Sequence, residues 1–136
     1  MDVAEALQFV SEHHRAVLAT YRRDGSASMT RVAAAADDDG RVCISSRETA
    51  YKVKNLRRDP RASVHGMTDD WYGPRVQIDG PAEILSLPDA MEPLVDYYRR
   101  VAGEHPDWDD YRAAMEREQR VLIRITPERV GPNQQG

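Results

Sequence analysis

Residues 49–63 read TAYKVKNLRRDPRAS, and this stretch holds a helix, its stop and the start of a strand. Ala50, Val53 and Leu56 are spaced as one inward stripe, and Thr49 stands where its hydroxyl can cap the free N–H groups. Pro60 ends the helix, because the residue before a proline avoids the α region. RASVHGMT (61–68) then reads as a strand. The same stretch is a charge anomaly. Of 19 lysine and arginine residues only Lys52 and Lys54 are lysine, and both lie here. With Arg57, Arg58 and Arg61 they set five cations against the carboxylate of Asp59, in a chain of net charge −4.

Upstream, residues 3–14 place Val3, Leu7 and Val10 on one helical face, with Ala6 and Phe9 beside it. RAVLATYR (15–22) and SASMTRVAAAA (26–36) flank an Asp-Gly turn, which predicts a hairpin. A second acidic turn, DDDG (37–40), leads into RVCISS (41–46), so two consecutive hairpins form a meander. Downstream, DDWYGP (69–74) is a loop. RVQIDGPAEIL (75–85) is a strand whose Gly80-Pro81 marks an edge, a bulge or a barrel corner. Helices are predicted over 89–102 and 108–118, the second capped by Asp107 or Asp109, before a last strand RVLIRITP (120–127) and a short polar tail. The early strands are joined by tight turns and not by helices, which disfavours a parallel α/β sheet. The expected fold is mainly β, with helical decoration: a small antiparallel barrel of about six strands.

The totals bound the function. A chain of 136 residues predicts one domain spanning 1–136. A hydrophobic fraction of 40% and a charged fraction of 31% are ordinary for a soluble globular protein. No apolar run approaches a membrane span, no leader sequence is evident, and overall acidity argues against nucleic-acid binding. The single cysteine, Cys43, allows no internal disulfide and fits a reducing, cytoplasmic setting.

Each candidate residue carries a plain reading beside a functional one. The basic segment reads first as a solvated helix face. Against that stand Ser45, Ser46 and Thr49 just ahead of the helix, the free amides of its first turn, and Lys52 in that turn. There the helix dipole disfavours a cation unless an anion is also present. Together they describe a phosphate site, which a compact ammonium on a flexible stem suits. Arg57, Arg58 and Arg61 read as solvent-facing or supportive. Cys43 alternates within a strand as core. His13 and His14 end a helix, His65 sits in a strand without an acidic partner, and no spacing suggests a metal site. Trp71 and Tyr72 read either as an anchor folded onto the core or as a flat surface offered to a ring. No serine-triad elbow, P-loop or dinucleotide glycine fingerprint occurs, so chemistry is expected from a bound cofactor.

A strand ending in Ser-Ser, then K-x-K-N-L-R-R-D-P-R-A-S, a later D-W-Y loop and YYRRVAGEHPDWDDY closely resemble one family. It is the pyridoxamine-5′-phosphate-oxidase-like split β-barrel superfamily, in its branch of PPOX-class, coenzyme F-420-dependent oxidoreductases. The match runs from about Val10 to Val130. The resemblance implies a six-stranded antiparallel split β-barrel that forms a homodimer, with two cofactor sites at the subunit interface. It implies a flavin or deazaflavin phosphate against Ser45, Ser46, Tyr51 and Lys52, and a ring site lined by Ser28, Met29, Thr30 and Arg31. Trp71 and Tyr72 would reach the ring from the partner. Relatives often carry arginine at the positions of Ala50 or Tyr51; here that phosphate contact is expected to have moved to Arg31 or Arg47. The C-terminal substrate motif of the true oxidases is absent, which argues against vitamin B6 synthesis. The activity implied is reduction of an electron-poor small molecule, an enone or quinone, by reduced coenzyme F-420. Lys54, Arg47 or Arg57 would meet the anionic tail, and solvent or Tyr72 would supply the proton. The alternatives are an FMN-dependent oxidase or reductase and a non-catalytic flavin or deazaflavin carrier.

Overall fold

A computed structural model describes residues 1–132 of the chain. The first helix, α1 (Val3–Glu12), starts at Asp2, whose side chain accepts from the Glu5 amide. It ends two residues before the expected boundary: His13 is already extended. A hairpin follows, β1 (Arg15–Tyr21) and β2 (Ala27–Ala33), turned at Gly25, whose φ of 86° suits a residue without Cβ. The expected long strand over 26–36 is broken at Ala34. Its remainder, β3 (Ala35–Ala36), pairs with β4 (Val42–Arg47) across the DDDG turn. Then come α2 (Tyr51–Arg58), β5 (Arg61–Met67), β6 (Arg75–Leu85), α3 (Met91–Ala102), α4 (Trp108–Arg117) and β7 (Arg120–Ile125). A short strand, β8 (Arg129–Gly131), lies where the sequence suggested none and pairs with β6.

The strand order is β2-β1-β5-β6-β7-β4-β3, with β8 off this path. Because β2 and β3 are one stretch of chain, the two ends of the path are tied together at Ala34, and the antiparallel sheet curls into a split barrel. The break in SASMTRVAAAA is what lets one segment serve both edges, and with β8 it accounts for the count above six. Gly80-Pro81 marks a corner: β6 pairs with β5 up to Pro81 and with β7 from Ala82 onward. A Cβ at Gly80 would stand 1.9 Å from the Thr126 carbonyl oxygen, so only glycine allows the sheet to fold over there.

Two apolar clusters hold the fold. Inside the barrel, Leu18, Ile44, Val64, Ile78, Ile123 and Ile125 meet Ala6 and Val10 of α1 and Val53 and Leu56 of α2. Outside it, α3 and α4 lay Leu94, Val95, Tyr111 and Met115 on the outer side of β4 and β7, over Cys43 and Leu122. The four rings of Tyr98, His105, Trp108 and Tyr111 lie within 5.0–5.8 Å of one another and join these helices. The outer side of β2-β1-β5-β6 is different. Its outward positions, among them Val17, Ala19, Met29, Ser63, His65 and Met67, are all exposed or half-buried.

Candidate functional site

The helix α2 begins one residue later than Thr49 would require. Its N-cap is Ala50, and no side chain caps it, which corrects the role expected of the Thr49 hydroxyl. The inward stripe holds: Val53 and Leu56 are buried, and Ala50 packs against the same core. The uncapped first turn therefore keeps free donors in the stretch that carries Lys52.

The arginines of the segment are committed. Arg57 pairs with Glu48 at 2.6 Å and donates to Ser86. Arg58 donates to the Tyr21 carbonyl and to Asn55, whose amide in turn donates to Thr20 at 3.1 Å inside the barrel. Arg61 pairs with Asp59 at 2.8 Å and lies over the Tyr21 ring at 4.5 Å. The lysines are not committed in this way. Among the described residues neither pairs with a carboxylate. Lys54 is exposed, its ammonium 5.5 Å from the centre of the exposed Tyr51 ring. Lys52 is half-buried, and burial together with the charge of Arg120 holds it below the ordinary lysine range.

Arg120 was not singled out in the sequence. Arg47 and Arg120 are register partners on β4 and β7, and both donate to Glu118 at 3.1 Å. Burial works against the Glu118 carboxylate, yet the bonds from Arg120 and Arg47 hold it below the usual range. The corner before Arg120 is tight: Gln119 has a φ of 53°, and its carbonyl accepts from the Glu48 amide at 2.9 Å. That bond ties the start of β7 to the approach to α2. Arg120 keeps a buried Nε with no hydrogen-bond partner.

Ser45 and Ser46 point to opposite sides of β4. Ser46 is buried on the barrel side with Val42 and Ile44, and Ser45 shares the outer side with Arg47 and Arg120. The Ser45 amide lies beside the Tyr97 hydroxyl, which donates to the Ala33 carbonyl at 2.8 Å across the seam between β4 and β2. Burial pushes Tyr97 above its ordinary range. On β2 the alternation divides the expected ring-site residues. Met29, 70% exposed, and Arg31 face outward, while Ser28 and Thr30 turn inward. The Thr30 hydroxyl is buried and lacks a partner. Arg31 joins Arg15, Val17 and Met67 around an open depression of about 660 Å³ on the bare face. Thus Ser45, Arg47 and Lys52 gather around Arg120, whereas Met29 and Arg31 belong to the bare face.

Trp71 and Tyr72 are 88% and 92% exposed. Asp70 shapes their loop, accepting from the Tyr72 and Gly73 amides, so they are not anchors folded onto the core. Cys43 is free and buried, and burial pushes its thiol up to about 12. His13 stacks on Phe9, and His14 places Nδ1 2.8 Å from the Ala34 carbonyl. Among the described residues there is no group of three or more metal-ligating side chains, and no helix is long and apolar enough to cross a membrane.

A curled antiparallel sheet whose two ends meet at Ala34, with an uncapped cationic helix start beside it, defines a split β-barrel. The family model described as pyridoxamine 5'-phosphate oxidase matches residues 3–134, and the chain belongs to that family. A conserved hypothetical protein from Mycobacterium tuberculosis is 31% identical, with a TM-score of 0.78 over 96% of this chain and 82% of that one. An F420 reductase is 20% identical, with a TM-score of 0.69 over 91% of this chain and 94% of that one. The heme storage protein HutZ from Vibrio cholerae is 15% identical, with a TM-score of 0.68 over 96% of this chain and 94% of that one. At such identities the last two show the shared fold alone.

Proposed function

We propose that the chain is a coenzyme F-420-dependent reductase that works as a homodimer. The observation that carries this reading is Lys52: a half-buried ammonium without a carboxylate partner among the described residues, in an uncapped helix turn, with Arg120 in electrostatic range. Such a group lacks its complement until an anion arrives. The residues fit a phosphate-bearing deazaflavin or flavin, since the free amides of the first turn and Lys52 have no anion to meet within the described residues. Lys54 and Tyr51 stand exposed on the same helix, either side of Val53, where a longer anionic tail has a second cation to meet. This favours F-420 over FMN, whose phosphate would use the same Lys52.

The chemistry such a cofactor supplies is hydride transfer to an electron-poor small molecule of the enone or quinone class. The chain's own part is to hold the phosphate at Lys52, to order the seam and to keep water from the ring. The bare outer face supports the dimer: Met29, Trp71 and Tyr72 are exposed apolar groups on one chain and would be covered by a second. Titrating the purified protein with F-420, FMN and heme, followed by absorbance, tests the cofactor. Turnover of reduced F-420 with a panel of enones and quinones separates enzyme from carrier. Binding of heme alone would sink the proposal. Tight F-420 binding without turnover would reduce it to a carrier.

A further inference from the structure

We infer that Arg120, at the start of β7, is the second cation of the phosphate site. This rests on the cofactor reading above. Four observations converge on Arg120. It is the cation whose charge acts on Lys52, although the two are far apart in sequence. Its register partner is Arg47, so β4 and β7 present two guanidinium groups side by side at the end of the ladder that leads into α2. Both arginines share a single carboxylate, Glu118. Finally, Arg120 is engaged at one end by Glu118, while its buried Nε, like those of Arg41 and Arg124, has no hydrogen-bond partner.

The backbone is arranged to the same end. Gln119 holds a left-handed conformation that favours glycine, and its carbonyl takes the Glu48 amide. That arrangement brings the Arg120 end of β7 to the approach of α2, and strain of this kind persists where the surroundings fix it. Arg31, the other expected substitute, lies on the bare face beside Arg15 and Met67. Arg47 stays in reach through the shared Glu118, and Arg120 is the less exposed of the two, at 27% against 59%. A charge-assisted contact is stronger the less solvent it meets.

The test isolates the phosphate. FMN and riboflavin differ only in that group, and F-420 and its riboside differ in the phosphate and the tail attached to it. The ratio of affinities within the FMN pair reports the phosphate contact, and the F-420 pair reports phosphate and tail together. Arg120→Gln should cut that ratio roughly tenfold or more, and leave the riboflavin or riboside affinity in place. Arg120→Lys, which keeps the charge, should preserve most of the ratio. The unphosphorylated ligand also certifies that the variant is folded. Equal loss for both members of a pair would make Arg120 merely structural and overturn the inference. A ratio that falls in Lys52→Ala but stands in Arg120→Gln would overturn it too, while leaving the cofactor reading intact. Binding of neither pair by the unmodified protein would remove both.

Discussion

The two flanks of the barrel are built from the same kind of strand and finished differently. On the β4–β7 flank the outer side is buried: Cys43 and Leu122 lie under α3 and α4, and β4 opens with three buried residues in a row. On the other flank burial alternates strictly along β1 and β5, and no residue of β2 is fully buried. Strands buried on both sides read as continuous apolar runs, and half-covered strands read as alternation. The contrast therefore separates a surface completed within the chain from one the chain leaves bare.

The strongest way to break that contrast is Ala19→Glu. Ala19 lies between Met29 and Ser63 at the middle of the open flank. A charge there should turn the proposed dimer into a monomer in sedimentation, with the melting of the single chain little altered. An unchanged mass, or a wild-type chain already monomeric at micromolar concentration, would remove the dimer. Next in size is Leu122→Ala. It deletes a side chain 1% exposed beneath the helices and should cost about 3 kcal/mol in urea unfolding. Met29→Ala, on the open side, should stay within about 0.5 kcal/mol measured on the monomeric background.

Lys52→Ala should weaken F-420 or FMN binding by about 1.5–3 kcal/mol, read by titration. Because burial and Arg120 already disfavour the ammonium, removing it should leave the melting midpoint of the free protein unchanged or slightly higher. A large drop in melting temperature would make Lys52 structural. Binding should also weaken as pH rises through the lowered Lys52 pKa, at lower pH than for an ordinary lysine.

The smallest effect concerns Cys43. Its thiol is raised from 9.0 to about 12 in the folded chain, so the native state holds a proton that the unfolded state loses. Stability from this group is complete below pH 9 and is lost as pH climbs toward 12. Cys43→Val should make that alkaline decline shallower in denaturant melts across this window. Thiol reagents at neutral pH should label Cys43 only after unfolding.

Much of this was legible in the sequence, because the decisive signals are local. The Asp-Gly turn at Gly25, the stop at Pro60 and the corner at Gly80-Pro81 each act within a few residues. The place of Lys52 in the first turn of α2 was legible for the same reason: a helix start and a first-turn cation are neighbours in the chain. What escaped depends on register. Arg120 lies opposite Arg47 because β4 and β7 pair in that register, which no short window reveals. Ser45 and Ser46, adjacent in sequence, part to opposite sides of a strand. Thr49 failed as a cap because the helix starts one residue on, a displacement that propensity does not resolve. β8 is three residues beside a proline, too brief for periodicity to register.

The alanine run at 33–36 has a consequence for motion. The Ala33 carbonyl is held by Tyr97, the Ala34 amide and carbonyl by His14, and the Ala36 carbonyl by Arg100. These bonds come from α3 and from the segment after α1 and not from a neighbouring strand, and small side chains let both come close. Slow amide exchange at Ala34 would thus report how long the segment after α1 remains seated. A transient lifting of α3 would unlatch the barrel along one line, while the ladders on either side stayed intact.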